Sequence, residues 1–196
     1  MTQDYRLQLG LSANLRAEAA QLYWQAFGSK LGLVMGPEVL ALAYLHRVIR
    51  ADHAIVAVSD SGRLLGLAGF KTPLGSFAAG SPDEMRASYG IFGGTWRARL
   101  LGRLSDEVDN ANFLLDGLCV ASDHRGQGIG SALMSAIGAE ARLRGYGSVR
   151  LDVIESNDRA QALYHRLGFV ETKRQQIGIL RHVFGFQAAV TMVRQL

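Results

Sequence analysis

The sequence predicts an α/β (α+β) fold: a mixed, mostly antiparallel sheet with flanking helices and a central parallel strand–helix–strand unit. Two observations carry this expectation. HAIVAVS (53–59), the turn DSG and RLLGLAGFK (63–71) read as a β-hairpin, the unit of an antiparallel sheet. NFLLDGLCV (112–120) and SVRLDVI (148–154) read as strands on either side of a helical segment, and strands joined through a helix run parallel.

The elements follow in order. Tyr5–Leu9 alternates and reads as a first strand. Ser12 is placed to cap a helix running to about Phe27, with Leu15, Leu22 and Phe27 among its apolar positions. Pro37 opens a second helix to about Arg50, since proline is tolerated in a first turn. After the hairpin, TPLGSFAAG reads as loop. Ser81, Pro82 and Glu84 then form a capping box with proline at the first helical position. That helix runs towards Leu104 with an interruption near Gly93-Gly94.

Gly117, inside the next strand, predicts a bulge or a close backbone approach. Ile129, Leu133, Ile137 and Ala141 fall four apart on one helix face, which Gly145 and Gly147 end. Val149, Leu151 and Val153 face inward from the following strand. Asn157 or Asp158 caps a short helix bearing Ala160, Leu163, Tyr164 and Leu167, and Gly168 stops it. Two strand candidates fill about 170–194, FQAAVTMV being the clearer. One domain is expected over 1–196, with 72–111 as an insertion between the third and fourth strands.

Composition narrows the function. With 48% hydrophobic and 19% charged residues the 196-residue chain is ordinary globular material. No long apolar run predicts a membrane helix, and the N-terminal stretch does not read as a secretory signal. The single cysteine, Cys119, excludes an intrachain disulfide and a cysteine-rich metal site, and is compatible with a cytoplasmic location. The +4 charge is carried mostly by scattered arginines. This predicts no nucleic-acid partner, while suiting an anionic small ligand. No histidine has metal-ligand spacing, so no metal is expected. His124 and His165 read as loop and helix-surface residues.

The most informative stretch is VASDHRGQGIGSALM (120–134). Gly126, Gly128 and Gly130 alternate behind Arg125, between a strand and a helix. The first N–H groups of a helix lack internal partners and sit at the positive end of its dipole, so they hold phosphate where no side chain intrudes. Arg125 adds a forked cation. A glycine turn also exists simply to turn tightly, and that reading stays open. The Walker pattern GxxxxGK[ST] is absent. The dinucleotide pattern GxGxxG fails at Ser131, although Asp152 stands about where its ribose acid belongs, which keeps a nicotinamide oxidoreductase as a distant rival.

Arg125-Gly126-Gln127-Gly128-Ile129-Gly130 resembles the (Q/R)xxGx(G/A) signature of the GNAT superfamily of acyl-CoA-dependent N-acetyltransferases. Asn157 to Phe169, NDRAQALYHRLGF, resembles that family's N-x-x-A-x-x-x-Y-x-x-x-G-F segment. The match covers about 112–170, with one helix and one strand between the motifs, as in the family.

The resemblance implies acetyl-CoA as co-substrate, its pyrophosphate held by Arg125, Gly126, Gln127, Gly128, Ile129, Gly130 and Ser131. It implies that the strand at Leu118, Cys119 and Val120 diverges from the strand at 149–154 and pairs with the pantetheine arm like an added strand. An N–H near Leu118 or Val120 would polarise the thioester carbonyl, and Asn157 would contact the pantetheine. Tyr164 would protonate the departing thiolate; its alternative is packing on an apolar stripe. Asp116 would accept the amine proton or bind the ammonium; its alternative is a structural ion pair. Cys119 reads as a packed strand residue, not an acyl carrier.

The implied reaction is direct transfer of an acetyl (acyl) group to an amine in a ternary complex. The acceptor is left open between a small polyamine or drug-like amine, an amino acid, and a peptide or protein amine. The other reading is a non-catalytic acyl-CoA-binding regulatory module on the same fold. Tyr89, Phe92 and Trp96 of the insertion are expected at the acceptor cleft, and Asp83, Glu84, Asp106 or Glu107 as attractants for a cationic amine. A peripheral packing helix or dimer contact is the alternative. The oligomeric state stays open, a homodimer being the common default.

Overall fold

The computed structural model describes residues 4–105 and 111–196. The strands are β1 (Tyr5–Leu9), β2 (Ala54–Ser59), β3 (Leu64–Thr72), β4 (Gly75–Ser76), β5 (Phe113–Val120), β6 (Ser148–Ile154), β7 (Val170–Gln176) and β8 (Ala188–Gln195). The helices are α1 (Arg16–Met35), α2 (Glu38–Val48), α3 (Pro82–Ser105), α4 (Ile129–Leu143), α5 (Asp158–Arg166) and α6 (Arg181–Phe184). One sheet runs β1-β2-β3-β5-β6-β8-β7, with β4 paired to β3. Every pairing is antiparallel except β5 with β6, whose connection passes through α4. This is the mixed α/β fold the sequence predicts.

Strand alternation divides the core between the two sheet faces. Ile55, Ala57, Ala68 and Phe70 pack with Leu133, Ile137 and Ala141 of α4 on one face. Ala54, Val56, Val58 and Leu67 pack with Ala19, Leu22 and Leu45 of α1 and α2 on the other. The centre of the sheet is therefore covered on both sides and reads as near-continuous apolar sequence. A third cluster, Val34, Met35, Tyr44, Val48, Met85 and Phe184, joins α1, α2, α3 and α6 away from the sheet. No single described helix is long and apolar enough to cross a membrane.

Three local expectations are revised. The first helix does not stop at Phe27 but continues to Met35. Gly28 is not a stop: a Cβ there would lie 2.8 Å from the Trp24 ring, so the glycine makes room for the indole. Ser12 precedes a short 3-10 turn without a side-chain capping bond. Its hydroxyl lies 3.3 Å from Gln8 Nε2 instead.

In α3 the capping box forms: Glu84 Oε2 accepts from Ser81 N (2.7 Å) and Ser81 Oγ from Glu84 N (3.2 Å). The interruption falls at Gly90 (φ 74°, ψ 168°) rather than at Gly93-Gly94. Gly94 serves the bend in another way. A Cβ on it would lie 2.4 Å from Arg86 Cα, so the two halves of α3 approach through it. Finally, TPLGSFAAG is not all loop, because Gly75–Ser76 pairs with Lys71 and Thr72 of β3.

Candidate active site

β5 and β6 pair only at Phe113–Val149 and Leu114–Arg150. Beyond Leu114 the two strands part, while β5 stays bonded to β3 as far as Val120 opposite Gly66. One edge of β5 is thus open over its second half. The Ala121 N–H donates to Leu65 O on the β3 side (2.9 Å). By alternation Cys119 and Gly117 also turn their backbone groups to β3, and Leu118 and Val120 turn theirs into the opening. Arg125 Nε, which donates to Val120 O at 3.1 Å, occupies that side.

α4 starts at the mouth of this opening. Gly126 and Gly128 both have left-handed backbone (φ 82° and 84°), and a Cβ on either would meet nothing within 4 Å. They are glycines because the turn needs positive φ, not because neighbours crowd them. Gly130 differs. It lies in the first turn of α4, where a Cβ would sit 3.5 Å from Leu163 Cδ2. The first bond of α4 runs from Ala132 N to Gly128 O, so the N–H groups of Ile129, Gly130 and Ser131 have no intrahelical partner.

A cavity of about 560 Å³ fills the opening. Leu118, Cys119 and Val120 line it from β5, and Arg125, Gly126, Gly128, Ile129, Gly130 and Ser131 from the turn and α4. Asn157 and Tyr164 line it from the α5 side. Of the residues expected to bind the cofactor, Gln127 alone stands off this lining; its Nε2 lies 3.3 Å from Asp123 O within the turn.

Asn157 Oδ1 accepts from Ala160 N (3.2 Å) and so caps α5. This orients the helix that carries Tyr164. The Tyr164 ring is buried against Phe169, centroids 5.8 Å apart, and burial pushes its phenol above the usual 10, with Cys119 adding to the rise. Cys119 is itself buried with its thiol pushed up by burial, so it is protonated and inert at neutral pH. His165 is exposed on α5, and the Nδ1 of His124 lies 2.9 Å from Asp123 Oδ1.

Asp116 belongs to a second cavity, of about 440 Å³. On β3 and β5 the register runs from Gly69–Gly117 to Phe70–Leu115, so Asp116 is the extra residue of a bulge. The Asp116 Oδ2 accepts from Ser76 Oγ (2.6 Å) and Ala78 N (3.2 Å). Both donors come from the β4 turn, and among the described residues no arginine is paired with Asp116. Gly117 lets α1 close over the bulge: a Cβ there would come 3.0 Å from Tyr23 and 3.2 Å from Phe27. Phe27 lines both cavities and stands between them.

The insertion contributes differently from expectation. Met85, Ala98 and Leu101 line the second cavity, one from the first half of α3 and two from the second. The Gly90 bend is what turns both halves to it. Tyr89 instead donates its hydroxyl to Met35 O (2.6 Å), and Phe92 and Trp96 are exposed on the outer side of α3. Asp83 pairs with Arg86, and Glu84 is held in the capping box. Asp106 and Glu107 lie outside the described residues.

Sequence reasoning missed Phe27, Tyr23 and Ser76, whose roles come from long-range packing. It also missed Arg159 and Arg166, two α5 cations lining the first cavity. Their signal was present: Arg159 lies within the NxxAxxxY segment and Arg166 two residues after it, seven apart on one helix face.

The chain matches the sequence model of the Acetyltransferase (GNAT) family over residues 17–169. It is 39% identical over 70 residues to the probable N-acetyltransferase family 8 member 5 of Mus musculus, covering 35% of this chain and 31% of that protein. It is 39% identical over 57 residues to the thialysine N-epsilon-acetyltransferase of Bos taurus, covering 29% of this chain and 34% of the other. These matches thus span about a third of the length of each curated relative. Among solved structures, an agmatine N-acetyltransferase mutant in its apo form superposes with a TM-score of 0.65 at 16% identity, covering 99% of this chain and 100% of that one. At that identity the likeness concerns the fold.

Proposed function

The chain belongs to the acetyltransferase (GNAT) family, and from that premise we propose that it transfers an acetyl group from acetyl-CoA to an amine by direct attack in a ternary complex. The observation that carries the reading is the parting of β5 from β6 with the start of α4 at its mouth. An extended pantetheine arm needs an open strand edge, and a pyrophosphate needs free N–H donors and cations. Leu118 and Val120 offer the first. Ile129, Gly130 and Ser131, with Arg125, Arg159 and Arg166 around the same cavity, offer the second.

In this reading the N–H of Leu118 or Val120 donates to the thioester oxygen as it gains charge. An ammonium held at Asp116 first loses one proton to solvent through the carboxylate; the neutral amine nitrogen, arriving past Phe27, then forms a bond to the carbonyl carbon. As the carbon–sulfur bond breaks, Tyr164 gives its proton to the sulfur and recovers one from solvent. The proton released from nitrogen passes to Asp116, directly or through water.

Burial has raised the Tyr164 phenol, which keeps it protonated and ready but makes it a weaker acid. The thiolate it serves is released in the same poorly solvated cavity. Its basicity rises for the same reason, and the transfer stays feasible.

The test is thiol release from acetyl-CoA across a broad panel of amines and peptides. Amine-dependent release with formation of the amide is expected. Tight acetyl-CoA binding with no release for any amine would overturn transfer in favour of a regulatory module.

A further inference from the structure

The second cavity has a chemistry of its own. Its sheet side carries Asp116, the only carboxylate among its described lining residues. Lys71 of β3 also lines it, a cation with an interaction of its own. Much of the remaining wall is apolar, with Tyr23 and Phe27 of α1, Met35, Leu45, Met85 and Leu101. Tyr23 and Phe27 stack at 4.6 Å between centroids, and burial together with the Asp116 charge holds the Tyr23 phenol well above its ordinary value. Tyr23 therefore stays neutral next to the carboxylate. Both halves of the bent α3 line the cavity, through Met85 and through Ala98 and Leu101.

Resting on the reading that this cavity receives the acceptor, we propose that the acceptor is a primary monoamine with a bulky apolar body, an arylalkylamine or branched alkylamine, and not a polyamine or a peptide. One ammonium is matched by one carboxylate, with the aromatic faces of Tyr23 and Phe27 adding to its attraction. The body of the amine then covers Met35, Met85 and Leu101 and removes apolar surface from water. A second ammonium on the same chain enters that apolar end without a carboxylate among the described lining residues, and burying an unpaired charge is expensive. A volume of about 440 Å³ suits a small molecule and not a length of polypeptide.

The experiment uses the full chain with acetyl-CoA and three probes: 2-phenylethylamine, 1,5-diaminopentane and a tetrapeptide with a free N-terminus. Expected is a kcat/KM for 2-phenylethylamine at least about tenfold above either competitor. Ala98→Phe, which fills the apolar end, raises its KM while acetyl-CoA affinity holds. Equal or better use of the diamine or the peptide overturns the proposal and leaves transfer standing. If no probe releases thiol, direct binding decides the pocket, and transfer is judged by the broad amine panel. Saturable binding of 2-phenylethylamine in preference to the diamine, lost in Asp116→Asn, supports the acceptor chemistry; no such preference overturns it.

Discussion

The Ser76 hydroxyl donates to Asp116 Oδ2 at 2.6 Å, across forty positions of sequence, and the Ala78 N–H meets the same oxygen at 3.2 Å. The carboxylate is steered through this one oxygen, and in the proposed reading its other oxygen takes the substrate ammonium. Asp116→Asn preserves an acceptor for both donors, so the fold should hold while the charge is lost. The expected outcome is a rise of about tenfold or more in KM for the amine, with the Kd of acetyl-CoA unchanged. An unchanged KM would remove Asp116 from acceptor binding.

The glycines of the turn make separable predictions. Gly128 sits at φ 84°, so Gly128→Ala forces a side chain into left-handed backbone, at a cost of about 1–2 kcal/mol in stability. Gly130 is helical and its added methyl meets Leu163 at an ordinary 3.5 Å. Gly130→Ala should raise the melting temperature, since alanine stabilises a helix by roughly 0.5–1 kcal/mol over glycine. It should nevertheless weaken acetyl-CoA in the proposed reading, because the methyl enters the cavity wall among Leu163, Val120 and Leu118. Calorimetry on both variants checks this. Gly130→Ala binding acetyl-CoA as tightly as the parent would move the phosphates away from α4.

Much of this was legible because it is local. The turn glycines, the apolar face of α4, the Asn157 cap and the Gly168 stop are each written within one helix or one turn. Tyr164 followed from a motif with fixed spacing on a single helix. The acceptor side was not legible in the same way. Ser76 reaches Asp116 only because β4, a two-residue strand without a pattern, folds back on β3. Phe27 stands between the cavities, with Tyr23 beside it, because Gly117, on another element, admits their rings. The misplaced break in α3 has the same origin. Three glycines lie within five residues there, and only packing decides which bends the chain and which makes room.

Tyr164 tests the acid role through kinetics. Tyr164→Phe keeps the ring against Phe169, so acetyl-CoA affinity should stay near the parent value while kcat falls about a hundredfold or more. The pH profile carries the sign of the shift. Burial lifts the phenol above 10, so in the parent no alkaline loss of kcat should arise from Tyr164 below about pH 10. A kcat unaffected by Tyr164→Phe would reduce the residue to packing.

Alkaline stability offers a test independent of activity. The Tyr44 phenol is pushed up to about 12, mainly by burial and partly offset by a hydrogen bond from the Gly80 backbone. Tyr89, 6.1 Å away between ring centroids, is also pushed up to about 12 by burial. Below the ordinary value of 10 both states keep the proton, and the full contribution is present. As pH rises past 10 the unfolded chain releases protons that the folded chain retains, so the unfolded state binds fewer and stability falls. The fall levels off only once the folded phenols ionise near 12. Urea midpoints measured at about pH 9, 10.5 and 11.5 should decline across this window. Tyr44→Phe should make that decline shallower, whatever its stability at neutral pH. An identical slope in the variant would show that Tyr44 does not hold its proton through burial between α2 and α3.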